Sequence, residues 1–187
     1  PEDLATSMAR IEAEAERMGV LVDDLLLLAR LDQGRPLERE PVDLAQVAAD
    51  AVDAARAIDP SRPIELEAEA PAILAGDAGR LRQVLDNLLE NARVHAPPAT
   101  PTHVDVHTDG HEVVLTVADT GPGMDADTAA RAFERFYRGD PARSRATGGV
   151  GLGLSIVAAI VEAHGGTVVL RPTDIGATFE IRIPTAG

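Results

Sequence analysis

Cysteine and lysine are both missing from this 187-residue chain. Without cysteine there can be no disulfide and no thiolate metal site, which suits a reducing compartment. Without lysine, all 17 basic side chains are arginine. That removes the lysine of a Walker-type phosphate loop, the lysine of a eukaryotic-type protein kinase and any Schiff base. No signal peptide is visible, and no apolar run approaches the roughly 20 residues of a membrane-spanning helix, so the chain reads as soluble. Positive charge is scarce too: against 31 acidic residues the net charge is −14. Nucleic acid and anionic membranes need clustered basic side chains, so neither is expected as the main partner. What is present, at 45% hydrophobic content, suffices for one ordinary domain with a small arm.

The arm comes first. Leu4, Met8, Ile11, Ala15, Met18, Val22, Leu25 and Ala29 alternate steps of four and three, a heptad seam that predicts a long helix needing a partner helix. Gly34 and Pro36 end it. Residues 34–42 read as a linker and 43–187 as the main domain. Asp43 is placed to N-cap a second helix, with Gln46 completing a capping box, and Leu44, Val47, Ala48, Ala51 and Val52 form its buried face. A strand over 64–69, a proline-containing loop and a helix from about Ala78 to His95 follow. Two strands, 102–108 and 112–118, are joined by the hairpin signal Asp109-Gly110. A helix from about Asp125 to Phe136, a core-poor loop with Arg138, Arg143 and Arg145, a helix over 155–163 and strands over 167–170 and 177–183 complete the chain.

The chemistry gathers at a few places. Thr147-Gly148-Gly149-Val150-Gly151-Leu152-Gly153-Leu154 is a glycine-rich run entering a helix. Such a run makes either an ordinary tight turn or a site where a helix N-terminus meets a phosphate. On the helix before His95, the residues Asn87, Asn91 and His95 share a face at four-residue spacing. Amides there could hold a hydrated Mg²⁺, or simply face solvent. Asp119 ends an apolar strand ahead of Gly121 and Gly123, where its carboxylate can accept from an exocyclic amine or serve a turn. His103 and His107 flank Asp105 on a strand face. With no further ligand evident, that face reads as solvated surface rather than a metal site.

Together these stretches carry a resemblance. Asn87 to His95 looks like an N box and Asp119-Thr120-Gly121-Pro122-Gly123 like a first glycine box. Phe133-Glu134-Arg135-Phe136-Tyr137-Arg138 looks like an F box, and Gly149-Val150-Gly151-Leu152-Gly153-Leu154 like a second glycine box. With Gly176-Ala177-Thr178-Phe179, they resemble the catalytic ATP-binding domain of bacterial sensor histidine kinases. That domain belongs to the Bergerat ATPase group shared with gyrase and the heat-shock 90 chaperones. The match covers about residues 41–184, and residues 1–33 resemble the second helix of the kinase's dimerisation and phosphotransfer domain.

The resemblance implies an α+β fold, a two-layer sandwich in which helices cover a mixed, mostly antiparallel sheet, preceded by the heptad helix. It implies that ATP lies between the N-box helix and a lid over 138–148. Asn91 would ligate Mg²⁺ with help from Asn87, and His95 would lie near the phosphates. Asp119 would bind the adenine amino group, assisted through water by Thr178, with Gly121 and Gly123 shaping the loop. Gly149, Gly151, Leu152 and Gly153 would give a helix N-terminus to the phosphates, and Phe133 and Phe136 would anchor the lid. The intact kinase would be a homodimer through its helical bundle, acting on a response regulator. This chain would be the cytoplasmic part of a membrane-anchored sensor.

Two departures stand out. Many family members have a lysine or arginine just before the position of His95, where this chain has Val94. Phosphate charge must then be met elsewhere, with Arg138 the first candidate. None of the five histidines is an acceptor on a first dimerisation helix, so the chain is expected to begin after that histidine. Two rivals use the same residues. One is an ATP-responsive interaction module with a degenerate site, which Val94 favours. The other is a serine kinase of the same ATPase group, which the heptad arm disfavours.

Overall fold

The computed structural model describes residues 2–34, 37–69, 71–139, 150–171, 173 and 175–185, with no account of the side chains of residues 2–5 and 13. Residues 1–35 and 36–187 form two compact units. The first is helix α1, Glu2–Asp32. Along its heptad seam Met8, Ile11, Met18, Val22 and Leu25 are exposed. Among the described residues no helix is long and apolar enough to cross a membrane.

The second unit is built on a five-stranded sheet of order β2-β4-β5-β7-β6. Its strands are β2 (Ile64–Ala68), β4 (Thr102–Asp109), β5 (Glu112–Asp119), β6 (Thr167–Arg171) and β7 (Thr178–Pro184). β2 runs parallel to β4, and every other pair is antiparallel. Period-two alternation points Val104 and Val106 of β4, Val113 and Val117 of β5, and Phe179 and Ile181 of β7 inward. Over that face lie α2 (Leu44–Ile58), α3 (Ala78–His95) and α5 (Gly153–Ala163), with α3 packed between the other two. The buried stripe of α3, Leu81, Leu85, Leu88 and Ala92, has the four-and-three spacing of an amphipathic helix. The sheet is therefore mixed and mostly antiparallel with helices on one side, as the resemblance implies.

Several local expectations change. The stretch read as a linker carries β1 (Glu40–Asp43), which pairs antiparallel with β3 (Ile73–Gly76), inside what was read as a loop. Asp43 does cap α2, accepting from Ala45 N at 3.1 Å, and it also accepts from Ala72 N at 3.0 Å. Gln46 completes no capping box, because its amide donates instead to Asp50 at 2.9 Å. Val47 is only half-buried. The helix expected to reach Phe136 is the short α4, Ala126–Arg131, none of whose residues is buried. With no apolar face to pack, the chain turns instead, and Phe136 sits at φ +62° with its N–H on Gly151 O at 2.9 Å. α5 starts at Gly153, two residues before the expected Ser155.

The opposite face of the sheet is solvated and charged. Bonds from Arg171, and then from Arg182, hold the Glu180 carboxyl down at about 2. His107 Nδ1 pairs with Asp105 at 2.6 Å, while His103 lies 3.9 Å from Glu65. Among the described residues no group of three or more His, Cys, Asp or Glu could hold a metal.

Candidate functional site

The site begins with two antiparallel helices. Near the middle of α3, the Asn87 amide lies against the first residue of α5, its Oδ1 3.5 Å from where a Cβ on Gly153 would stand. The other end of α3 meets the loop after β5. There a Cβ on Gly121 would fall 2.8 Å from the Ala96 Cβ, one residue past the helix. From Asn87 to Ala96 the helix advances about 13 Å. One helix thus spans both ends of the site, with Asn91 half-buried between them and His95 exposed in the last turn.

At the far end Asp119 closes β5. Its Oδ1 accepts from Gly121 N at 2.8 Å, and its own N–H donates to Ala177 O at 3.0 Å. Its other carboxylate oxygen takes no partner among the described residues. Thr178 opens β7 opposite Ala118 and so lies beside Asp119. Gly176, at φ +80°, lets this strand end approach: a Cβ there would collide with the Asp119 carbonyl. Gly123 stacks on the same point, its would-be Cβ 2.8 Å from Gly176 O. Asp119, Gly121, Gly123 and Thr178 are therefore one cluster.

At the near end, the segment after α4 folds against the start of α5. Phe133 anchors it by an edge-on contact with core Phe179, ring centres 6.3 Å apart. Phe136 is 55% exposed, and its backbone N–H is tied to Gly151 O. Gly151, at φ +79°, leaves room for the chain it meets, since a Cβ would sit 2.7 Å from Tyr137 O and 3.2 Å from Arg138 Cγ. Leu152 precedes α5 and makes no side-chain cap, so the first N–H groups of that helix are left for another acceptor. Gly149 and residues 140–148 of the expected lid lie outside the described residues.

Three buried donors at this end have no hydrogen-bond partner among the described residues: Nδ2 of Asn87 and Nε and Nη2 of Arg138. Buried donors are seldom left unpaired, because each unmade bond costs about 1–3 kcal/mol. Here the Asn87 amide lies beside Gly153 and the Arg138 stem beside Gly151, at a helix N-terminus whose dipole is itself positive. The arrangement calls for an anion with several acceptor oxygens. Arg93, next to Val94, is exposed and makes a two-fold bond to Glu90 at 2.6 Å.

Two contributors were not legible from the sequence. Arg62, 5% exposed, donates to the carbonyls of Arg93, Ala96, Pro97 and Thr100 at 3.1–3.4 Å. Its guanidinium closes the negative C-terminal end of α3 and fixes the loop that reaches Gly121. His164 joins the other ends of α3 and α5. Only its position before Gly165-Gly166 marked it as a helix stop.

Comparison with known proteins shows the family and the fold. Residues 76–187 match the family described as histidine kinase-, DNA gyrase B-, and HSP90-like ATPase. Along its whole length the chain is 48% identical to the probable sensor histidine kinase TcrY of Mycobacterium tuberculosis, and it spans 40% of that protein. The mycobacterial sensor histidine kinase MprB superposes with a TM-score of 0.69 at 29% identity, covering 78% of this chain and 97% of that one. The ATP-binding domain of PrrB from Mycobacterium tuberculosis does so at 0.67 and 26% identity, covering 80% and 99%.

Proposed function

The chain belongs to the histidine kinase-, DNA gyrase B- and HSP90-like ATPase family, and on that premise we propose that it is the catalytic ATP-binding part of a sensor histidine kinase. It holds MgATP and presents the γ-phosphoryl group to a histidine carried elsewhere, from which the group passes to an aspartate of a response regulator. The observation that carries this reading is the set of buried donors on Asn87 and Arg138, unpartnered among the described residues, at the N-terminus of α5.

In this reading Asp119 accepts from the adenine amino group through its free oxygen, with Thr178 assisting through water. The N–H groups after Gly151, Leu152 and Gly153 meet the phosphates, and Gly149 belongs to the same loop. Arg138 supplies the charge that Val94 does not, and His95 borders the phosphates from the last turn of α3. The donor set fits Mg²⁺, since the side-chain oxygens of Asn91 and Asn87 are neutral, hard ligands one helical turn apart. Bound Mg²⁺ would neutralise phosphate charge. The rest of the work is positioning: little covalent chemistry falls to the protein when a phosphoryl group moves in line between two nucleophiles. The buried Nε and Nη2 of Arg138, without partners among the described residues, favour a working nucleotide site over a degenerate one.

Residues 1–33 act as a dimerisation helix in this proposal, and the unit that follows, with β1 inside it, as the catalytic domain. The exposed seam of Met8, Ile11, Met18 and Val22 supports pairing with a second copy. Incubated alone with γ-labelled ATP, the chain should stay unlabelled. Acid-labile label on His95, His103, His107, His111 or His164 would overturn the assignment of the acceptor to another segment.

A further inference from the structure

His164 follows the last turn of α5 and is 3% exposed. Its Nδ1 lies 2.8 Å from Ile160 O, and its Nε2 lies 3.0 Å from the backbone nitrogen of Asp77. A carbonyl can only accept and an N–H can only donate, so the two partners fix the neutral tautomer with its proton on Nδ1. Asp77 is itself the N-cap of α3, accepting from Arg80 N at 3.0 Å. Gly76 makes room for the ring, since a Cβ there would stand 2.8 Å from its Cδ2. One imidazole therefore ties the end of α5 to the start of α3.

The same two helices meet again at the other end, where Asn87 faces Gly153. That point is about three turns from the imidazole on each helix. Both helices are stiff, so a slip at His164 moves the start of α5 along Asn87 by a similar amount. We infer that His164 is a positioning residue for the nucleotide site, whose neutral ring sets the register of α5 against α3 and hence the spacing of the Asn87 amide from the α5 N-terminus. The inference rests on the ATP-binding reading above.

The charged groups facing the ring are Asp77, from the β3–α3 junction, and Arg39, which reaches from ahead of β1 to donate to Ala163 O at 3.2 Å. Burial pushes the His164 pKa down. The Ile160 bond and Asp77 oppose that shift, and Arg39 adds to it. The folded protein thus prefers the neutral ring. The tie is intact above the unfolded histidine value of 6.5 and is lost as pH falls from there through the lower folded value. Protonation would put a donor on Nε2 opposite the Asp77 donor and open it.

The test compares MgATP affinity of wild type, His164→Gln and His164→Leu by calorimetry, below the melting temperature of all three. Glutamine can place an acceptor near the Nε2 position, and leucine cannot. His164→Leu should bind about tenfold more weakly near neutral pH, with His164→Gln within about threefold of wild type. On acidification wild type should lose affinity relative to His164→Gln, which shares every other titrating group. A lower melting temperature in His164→Leu with unchanged affinity would overturn the inference, leaving only a structural bond. So would parallel pH curves for wild type and His164→Gln, a comparison that stands even if the leucine variant fails to fold. Failure of wild type to bind MgATP at all would instead overturn the ATP reading on which the inference rests.

Discussion

Arg138→Met should raise the melting temperature of the nucleotide-free protein while weakening MgATP binding by about thirtyfold. Nε and Nη2 of Arg138 are buried without partners among the described residues, so in the absence of ligand they carry a desolvation cost. Methionine keeps the apolar stem that passes Gly151 and removes the donors. Part of the residue is accessible, which limits the gain to about 1 kcal/mol. With ATP bound the same donors face phosphate oxygens, and a bond of that charge-assisted kind contributes about 1.5–3 kcal/mol. Stability and affinity therefore move in opposite directions, as they do where a site is held ready for a charge it lacks. Thermal melts and calorimetry on the same preparation read both. A variant that loses stability and keeps its affinity would make Arg138 an ordinary structural arginine.

Asp119→Ala should cost about a hundredfold in ATP affinity with little loss of stability. Asp119 stands at the rim of the sheet, where one oxygen accepts from Gly121 N and the other, without a partner among the described residues, is left for the base. Alanine removes both acceptors, so the adenine amine and the Gly121 N–H are each left unmatched. Asp119→Asn separates the two roles. Its carbonyl can still hold Gly121 N, but its NH₂ meets the adenine amine donor to donor. Guanine presents a carbonyl at the corresponding position. The asparagine variant should therefore lose ATP and shift its preference toward GTP, whereas the alanine variant should lose ATP without that shift. Competition of the two nucleotides against each variant checks it. Unchanged preference in Asp119→Asn would remove the base contact from Asp119.

Both predictions draw on residues that the sequence alone marks, and the reason is local. The N-box helix is 18 residues with a regular apolar stripe, so its bounds and the face that carries Asn87 and Asn91 follow from periodicity alone. Asp119 is marked by the end of an apolar strand and the glycines after it. β1 and β3 escaped because each is only four residues long, with Pro41 in one and Pro71 just ahead of the other. The helix expected up to Phe136 stops at Arg131, since a stretch rich in alanine looks helical but buries nothing. Its continuation is held instead by Arg131 over the Tyr137 ring at 4.2 Å and by the Phe136–Gly151 bond. Arg62 and His164 were invisible for a different reason. The carbonyls that Arg62 ties lie 31 or more residues away, and the Asp77 N–H that His164 holds lies 87 away, beyond any local pattern. Each residue taken alone, an arginine between prolines or a histidine before glycines, reads as loop.

The most direct measurement is calorimetry of this chain with ATP, with and without Mg²⁺. Saturable heat should appear at about 1 mM nucleotide or below, corresponding to one ATP per chain. The affinity should fall when Mg²⁺ is withheld and again when Asn91 is replaced by alanine. No heat at that concentration with Mg²⁺ present would contradict the reading of Asn87, Asn91, Asp119 and Arg138 as one nucleotide site.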